Sequence, residues 1–169
     1  MSGELTFERF VREHTDTLFR TAFLLVGNRH DAEDLLQDTL VRLYPKWDRV
    51  TAADKPIAYV QRSVANRAVS RFRSPERRAE SRWELPDSWD PSDLGETVAV
   101  SRTVWQLLGE LSARQRAALV LRYFHDLPES EVAAALGCRP ATVRSLVSRG
   151  VASMRTAYLS TEASSEGSR

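Results

Sequence analysis

GCRPATVRSLVSRG, from Gly137 to Gly150, sets a glycine, a cysteine and a proline directly before a run whose apolar residues keep helical spacing. Val143, Leu146, Val147, Gly150, Val151 and Met154 fall at i, i+3, i+4, i+7, i+8 and i+11, which defines one buried helix face. The opposite face carries Thr142, Arg144, Ser145, Ser148, Arg149 and Arg155. Upstream, ESEVAAAL has the acidic first turn of a short helix and ends at Gly137, while Pro140 suits the first turn of the next. A short helix, a tight glycine turn and a longer helix form a helix-turn-helix, whose second helix enters the DNA major groove by its N-terminal residues. Arginine there can donate two bonds to guanine O6 and N7, and serine or threonine can reach phosphates or bases. The competing reading is a helical hairpin with a solvated basic face.

Working outward, SRTVWQLLGEL carries Val104, Leu107, Leu108 and Leu111, and Ser112 followed by Gln115 is a capping box that opens ARQRAALVLRYFHD. In the first half, FERFVREHTDTLFRTAFLLVG aligns Phe7, Phe10, Val11, His14, Leu18, Ala22 and Leu25 on one stripe before Gly27. His14 reads as a core-facing histidine, because no ligand partner lies at helical spacing. DAEDLLQDTLVRLY continues with Leu35, Leu36, Leu40 and Leu43 until Pro45 stops it. A third helix starts near Pro56 and turns Ile57, Val60, Val64, Ala68 and Phe72 inward with arginines outward. SPERRAESRWELPDSWDPSDLG shows no apolar period and reads as a linker, with Trp83 and Trp89 expected to tack it onto a domain or partner surface. The tail STEASSEGSR is expected to be disordered.

Composition limits what such a chain does. Its 169 residues are 42% hydrophobic and 28% charged, as in soluble globular proteins, and the apolar runs are too short to cross a bilayer. A cytoplasmic location is expected, since the N-terminus lacks signal-peptide character. Cys138 is the single cysteine and the three histidines are scattered, so neither a disulfide nor a zinc site is expected. Net charge is only +1, yet sign segregates strongly along the chain. Arg62, Arg67, Arg71, Arg73, Arg77, Arg78 and Arg82 face only Glu76 and Glu80 in their stretch. Glu84, Asp87, Asp90, Asp93 and Glu96 follow with no base among them, and from Arg139 to Arg155 every charge is arginine.

The run LSARQRAALVLRYFHDLPESEVAAALGCRPATVRSLVSRGVASMR resembles region 4 of the extracytoplasmic-function sigma factors, the group 4 promoter-recognition subunits of bacterial RNA polymerase. DAEDLLQDTLVRLY is similar to their region 2.2 helix and AYVQRSVANRAVSRFR to their region 2.3 and 2.4 helix, in the same order. The resemblance covers about Phe7 to Leu159 and fits the short actinobacterial type. It implies an all-α fold of two small helical domains: region 2 over 1–73, a flexible linker over 74–97, region 4 over 98–159, then a disordered tail over 160–169. It implies that Asp34, Gln37 and Asp38 face the beta-prime coiled coil of core polymerase. For the minus 10 element it implicates the loop from about Arg49 to Pro56, including Asp54 and Lys55, and the polar face with Gln61, Arg62, Asn66, Arg67 and Arg71. There a base leaves the stack while arginines track the backbone. For the minus 35 element it places Arg144, Ser145, Ser148 and Arg149 at the groove, with Arg139 and Thr142 on phosphates. Ala141 stands where many members have glycine, and in a first turn alanine serves at least as well.

The implied partners are core RNA polymerase, through the beta-prime coiled coil and the beta subunit, and promoter DNA; the family picture also admits an anti-sigma factor. No cofactor, metal or membrane partner is expected. The acidic linker either threads through polymerase channels as a nucleic-acid mimic or serves as a solvated tether. Within DNA binding the alternative is a free-standing helix-turn-helix regulator, which normally needs a dimerisation element and a sensor domain upstream. An enzyme finds no support in the residues: there is no glycine-rich nucleotide loop, metal cluster or nucleophile with a base.

Overall fold

The first helix, α1 (Phe7–Val26), starts where Thr6 caps the Arg9 amide and stops at Gly27, whose φ of 78° is left-handed. The computed structural model describes residues 5–80, 82–84 and 101–167. α1 is unbroken, and its stripe enters the core: Phe10, Leu18 and Ala22 are fully buried. His14 packs its ring against Phe10 at 4.6 Å. Asn28 caps α2 (Arg29–Leu43), a 3-10 turn at Tyr44–Lys46 and the short α3 (Trp47–Thr51) follow, and α4 (Pro56–Arg71) starts on its proline. Pro45 thus ends α2 without ending helical structure: it sits at the start of the 3-10 turn, where its missing amide is harmless. Trp47 fastens this corner by packing edge-on against Phe7 and Phe10 and by donating from Nε1 to the Leu5 carbonyl at 2.9 Å. Val60 and Val64 of α4 close the core against α1 and α2.

The segment expected as linker contains helical structure at its start, α5 (Pro75–Glu80), which has no buried apolar stripe and therefore no period to read. Trp83 does tack the segment down, whereas Trp89 lies outside the described residues.

The second unit begins with α6 (Arg102–Gly109), capped by Ser101, and α7 (Ala113–Leu119), where the Ser112 and Gln115 capping box forms as the sequence requires. The chain then passes through a π-helical turn, Val120–Phe124, which the apolar period did not reveal. Its wider ladder, with the His125 amide on the Val120 carbonyl, buries Val120 and Leu121 while leaving Tyr123 exposed. α8 (Glu129–Leu136) ends at Gly137 with φ 63°, and α9 (Pro140–Glu166) follows. Cys138 is half-buried in the turn, and its amide bonds the Ala133 carbonyl.

Val143 and Gly150 of α9 are buried and Leu146, Val147, Val151 and Met154 are half-buried, which is the expected face. A Cβ on Gly150 would stand 2.9 Å from Leu119 Cδ1, so α7 and α9 approach closely because this residue has no side chain. The tail departs from expectation: α9 continues to Glu166. Ser160, Thr161 and Ser164 each return their hydroxyl to the carbonyl four residues back, which satisfies the groups that otherwise compete with the helix.

The two units share one apolar core. Phe23 of α1 stacks on Trp105 of α6 with centroids 5.8 Å apart, and α4 packs against both α7 and α8. Arg116, 6% exposed, donates to the carbonyls of Leu108 (2.8 Å), Leu111 (2.9 Å) and Gly109 (3.4 Å) in its own unit, and to Leu25 (2.9 Å) across the junction. Burial pushes its pKa down to about 10, so it stays charged at neutral pH and its donors are used on helix-end carbonyls. Thr21 Oγ1 and His125 Nε2 meet 3.0 Å apart, and burial pushes His125 down to about 4, leaving a neutral ring at the junction.

Candidate DNA and polymerase interfaces

The start of α9 is shaped by the turn before it. Gly137 supplies the left-handed residue, Arg139 is extended (φ −83°, ψ 153°) as N-cap, and Pro140 opens the helix. Arg139, Thr142, Arg144, Ser145, Ser148 and Arg149 are all exposed, while Val143 between them is fully buried. Nearly three turns of helix therefore present donors outward from a backbone held from behind by Val143 and Gly150. Arg144 is restrained within its own unit, because its Nη1 lies 2.9 Å from Glu129 of α8. The remaining sequence-derived members of this face have no such carboxylate partner among the described ion pairs.

On the first unit, the stretch read as a loop from Arg49 is in fact helical through Thr51, and the true loop spans 52–55. Arg49, Asp54 and Lys55 are exposed there, and Asn66 is exposed on α4. Gln61 is 7% exposed, so it faces the interior and departs from the expected polar face. Its place in sequence puts it beside Val60, one step off the apolar stripe, where only the packing of neighbours decides. Arg62 reaches out of the unit to Glu131 of α8 at 3.2 Å. Arg67 donates from Nε to Asp38 at 2.5 Å, and Arg71 lies 3.7 Å from Asp34 and also donates to the Asp31 carbonyl.

Asp34 and Gln37 are exposed on α2, and Asp38 is half-buried beneath the α4 arginines. Burial works against the charged form of Asp38, but hydrogen bonds from Arg67 and Arg42 outweigh it and hold the carboxyl below its usual range. Two further residues share this surface and escaped sequence reading. Val41 is 70% exposed and Tyr44 is 57% exposed, at four- and three-residue steps beyond Gln37. An apolar residue off the Leu35, Leu36 and Leu43 stripe was the signal available. A helix face that mixes carboxylate, amide, valine and tyrosine at this exposure suits a protein partner better than solvent alone.

Among the described residues no His, Cys, Asp and Glu grouping could hold a metal ion, and no helix is long and apolar enough to cross a membrane. The two helical units thus display an arginine- and serine-bearing face on α9, an arginine-bearing face on α4 and a mixed polar and apolar face on α2. The description "Sigma-70 region 2" matches residues 10–78 and "Sigma-70, region 4" matches residues 101–154. The chain is 37% identical over 153 residues to RNA polymerase sigma-E factor of Streptomyces avermitilis, covering 89% of this chain and 84% of that one. It is 34% identical over 155 residues to its Streptomyces coelicolor namesake, covering 92% and 87%. Among solved structures, the sigma factor RpoE of Bartonella quintana, seen with the anti-sigma factor NepR, shares the fold at TM-score 0.68 and 23% identity, over 89% of this chain and 94% of that one. The chain belongs to the sigma-70 family, in its extracytoplasmic-function group. Its role is that of a sigma factor, directing RNA polymerase to promoters. Matches to both regions in order leave a free-standing regulator without support.

Proposed function

We propose that the work of promoter recognition is divided among three surfaces of this chain. Arg144, Ser145, Ser148 and Arg149 read base edges of the minus 35 element from the major groove, with Arg139 and Thr142 on phosphates. The 52–55 loop, Arg49 and the arginines of α4 follow the strand that separates at the minus 10 element, where unstacking a base lets the subunit assist melting without catalysis of its own. Asp34, Gln37 and Asp38, extended by Val41 and Tyr44, dock on the beta-prime coiled coil of core polymerase. The observation that carries this reading is the outward display of the Arg139 N-cap and five α9 residues over a fully buried Val143, directly after the Gly137 turn.

The protein acts in the cytoplasm, where polymerase is, and an anti-sigma factor is a fitting regulator. Bartonella RpoE was solved with NepR and CnrH with the cytosolic domain of CnrY. The test is run-off transcription: purified chain added to sigma-free core polymerase on a genomic promoter library. Specific transcripts, lost with Arg144→Ala or Arg149→Ala, are expected. Formation of no complex with core and opening of no promoter defeats the reading.

A further inference from the structure

The indole of Trp83 occupies a slot between the two units that exists because two residues lack side chains. A Cβ on Gly27 would stand 2.0 Å from the ring, and one on Gly109 would stand 2.5 Å from it. Trp83 Nε1 donates to the Trp105 carbonyl at 3.0 Å, its ring lies 4.9 Å from that of Trp105, and Arg116 sits over it at 4.4 Å. The flanking backbone is tied to the first unit: the Glu84 amide bonds the Gly27 carbonyl, and Asn28 Nδ2 donates to the Arg82 carbonyl. One side chain thus touches the C-terminal cap of α1, the end of α6 and the buried arginine of α7. Beyond it, α8 lies on α4 and Glu131 holds Arg62.

We propose that Trp83 is a clasp holding the chain in a closed state, in which α8 masks part of the minus 10 face, and that it must release for both promoter elements to be read together. Distance makes release necessary. Positions minus 35 and minus 10 lie about 25 base pairs apart, roughly 85 Å of duplex at 3.4 Å per pair. A compact chain of this length has a radius of gyration of about 15 Å, and so spans about 40 Å. The residues between Glu84 and Ser101, fully extended, reach about 60 Å. That reach serves the DNA only after Trp83 leaves the α6 end of its slot. The masking half of this inference rests on the assignment of α4 to the minus 10 element; the clasp itself does not.

Gly109→Ala tests the clasp without weakening the helix it ends, since alanine favours helix over glycine while its methyl evicts the indole. Trp83→Ala is the companion variant. On the full free chain, both are expected to raise the radius of gyration in small-angle scattering and to increase modification of Arg62 by phenylglyoxal several-fold, with exposed Arg49 unchanged. Both are also expected to bind fluorescein-labelled single-stranded DNA of mixed sequence several-fold more tightly. Unchanged scattering and unchanged Arg62 reactivity in Gly109→Ala overturn the clasp. An opened chain with reactive Arg62 but no gain in DNA affinity upholds the clasp and overturns instead the assignment of α4 to the minus 10 strand.

Discussion

Asp38 accepts a hydrogen bond from Arg67, so a residue of the helix proposed to dock on polymerase and a residue of the helix proposed to follow the minus 10 strand neutralise each other across the α2 and α4 seam. Both side chains are about a third exposed, which limits the stability of the pair to about 1 kcal/mol or less after solvent screening. Asp38→Asn is therefore expected to fold normally while lowering affinity for core polymerase and altering the single-strand contact of Arg67 at the same time. The carboxyl titrates below its usual range in the fold, so its contribution is present above the ordinary aspartate range and disappears as pH falls through the lowered value. Equilibrium binding to core and acid titration of the melting temperature, compared with wild type, check both statements.

Arg144 and Arg139 should fail differently. Loss of a bidentate base contact in Arg144→Ala is expected to cost about 1–3 kcal/mol at the minus 35 element and to relax preference at one position. Arg139→Ala should weaken all sequences alike and reduce the slope of log affinity against log salt by about 1. Glu129→Gln, which frees Arg144 from its 2.9 Å partner, should strengthen binding and steepen that slope. Titrations at several salt concentrations on duplexes with single substitutions separate the three.

Val41 offers a docking test without charge. At 70% exposure it contributes little to the fold, and Val41→Ala should leave the unfolding free energy within about 0.5 kcal/mol of wild type. If it lies at the centre of the core-polymerase interface, its loss should cost more than about 1 kcal/mol of binding. Competition against wild type for a limiting amount of core gives the number.

His125 makes the junction sensitive to acid. Its folded value is about 4 against about 6.5 when solvated, so the unfolded or opened chain takes up the proton first. Stability from the neutral ring is complete above about pH 6.5 and is lost as pH falls toward 4. Acidic groups elsewhere titrate over part of the same range, so the informative quantity is the difference between wild type and His125→Gln, which should show a flatter stability profile between pH 6.5 and 4 in urea unfolding.

Several features of this architecture were written plainly in the chain. The capping box at Ser112, the stop at Gly27, the turn from Gly137 to Pro140 and the buried stripe of α9 follow from local rules, and each forms as those rules require. What could not be read depends on contacts between distant segments. Gln61 is buried by neighbours that no local period announces, and Trp83 finds its slot only because Gly27 and Gly109 come together in space. The π turn at Val120–Phe124 left no mark because the unbroken apolar run leading into it, Ala117 to Leu121, has no period for an extra residue to break. The exposed face of α9 was legible residue by residue, whereas the pairing of Arg62, Arg67 and Arg71 with carboxylates was not, since each partner lies on another helix.

Gly150 is buried on the side of α9 away from its exposed arginines, yet it governs how that exposed face is held. It lies six residues past Arg144, about 9 Å along a straight helix, and Leu119 is the surface on which that helix rests. A methyl at this point can be accommodated by turning the Leu119 side chain; anything larger must lift α9 from α7. The helix would then pivot as a rigid lever, turning Arg144, Ser148 and Arg149 together with every exposed side chain intact. On the proposed assignment of α9 to the minus 35 element, promoter preference would thus depend in part on a residue with no side chain, acting as a fulcrum.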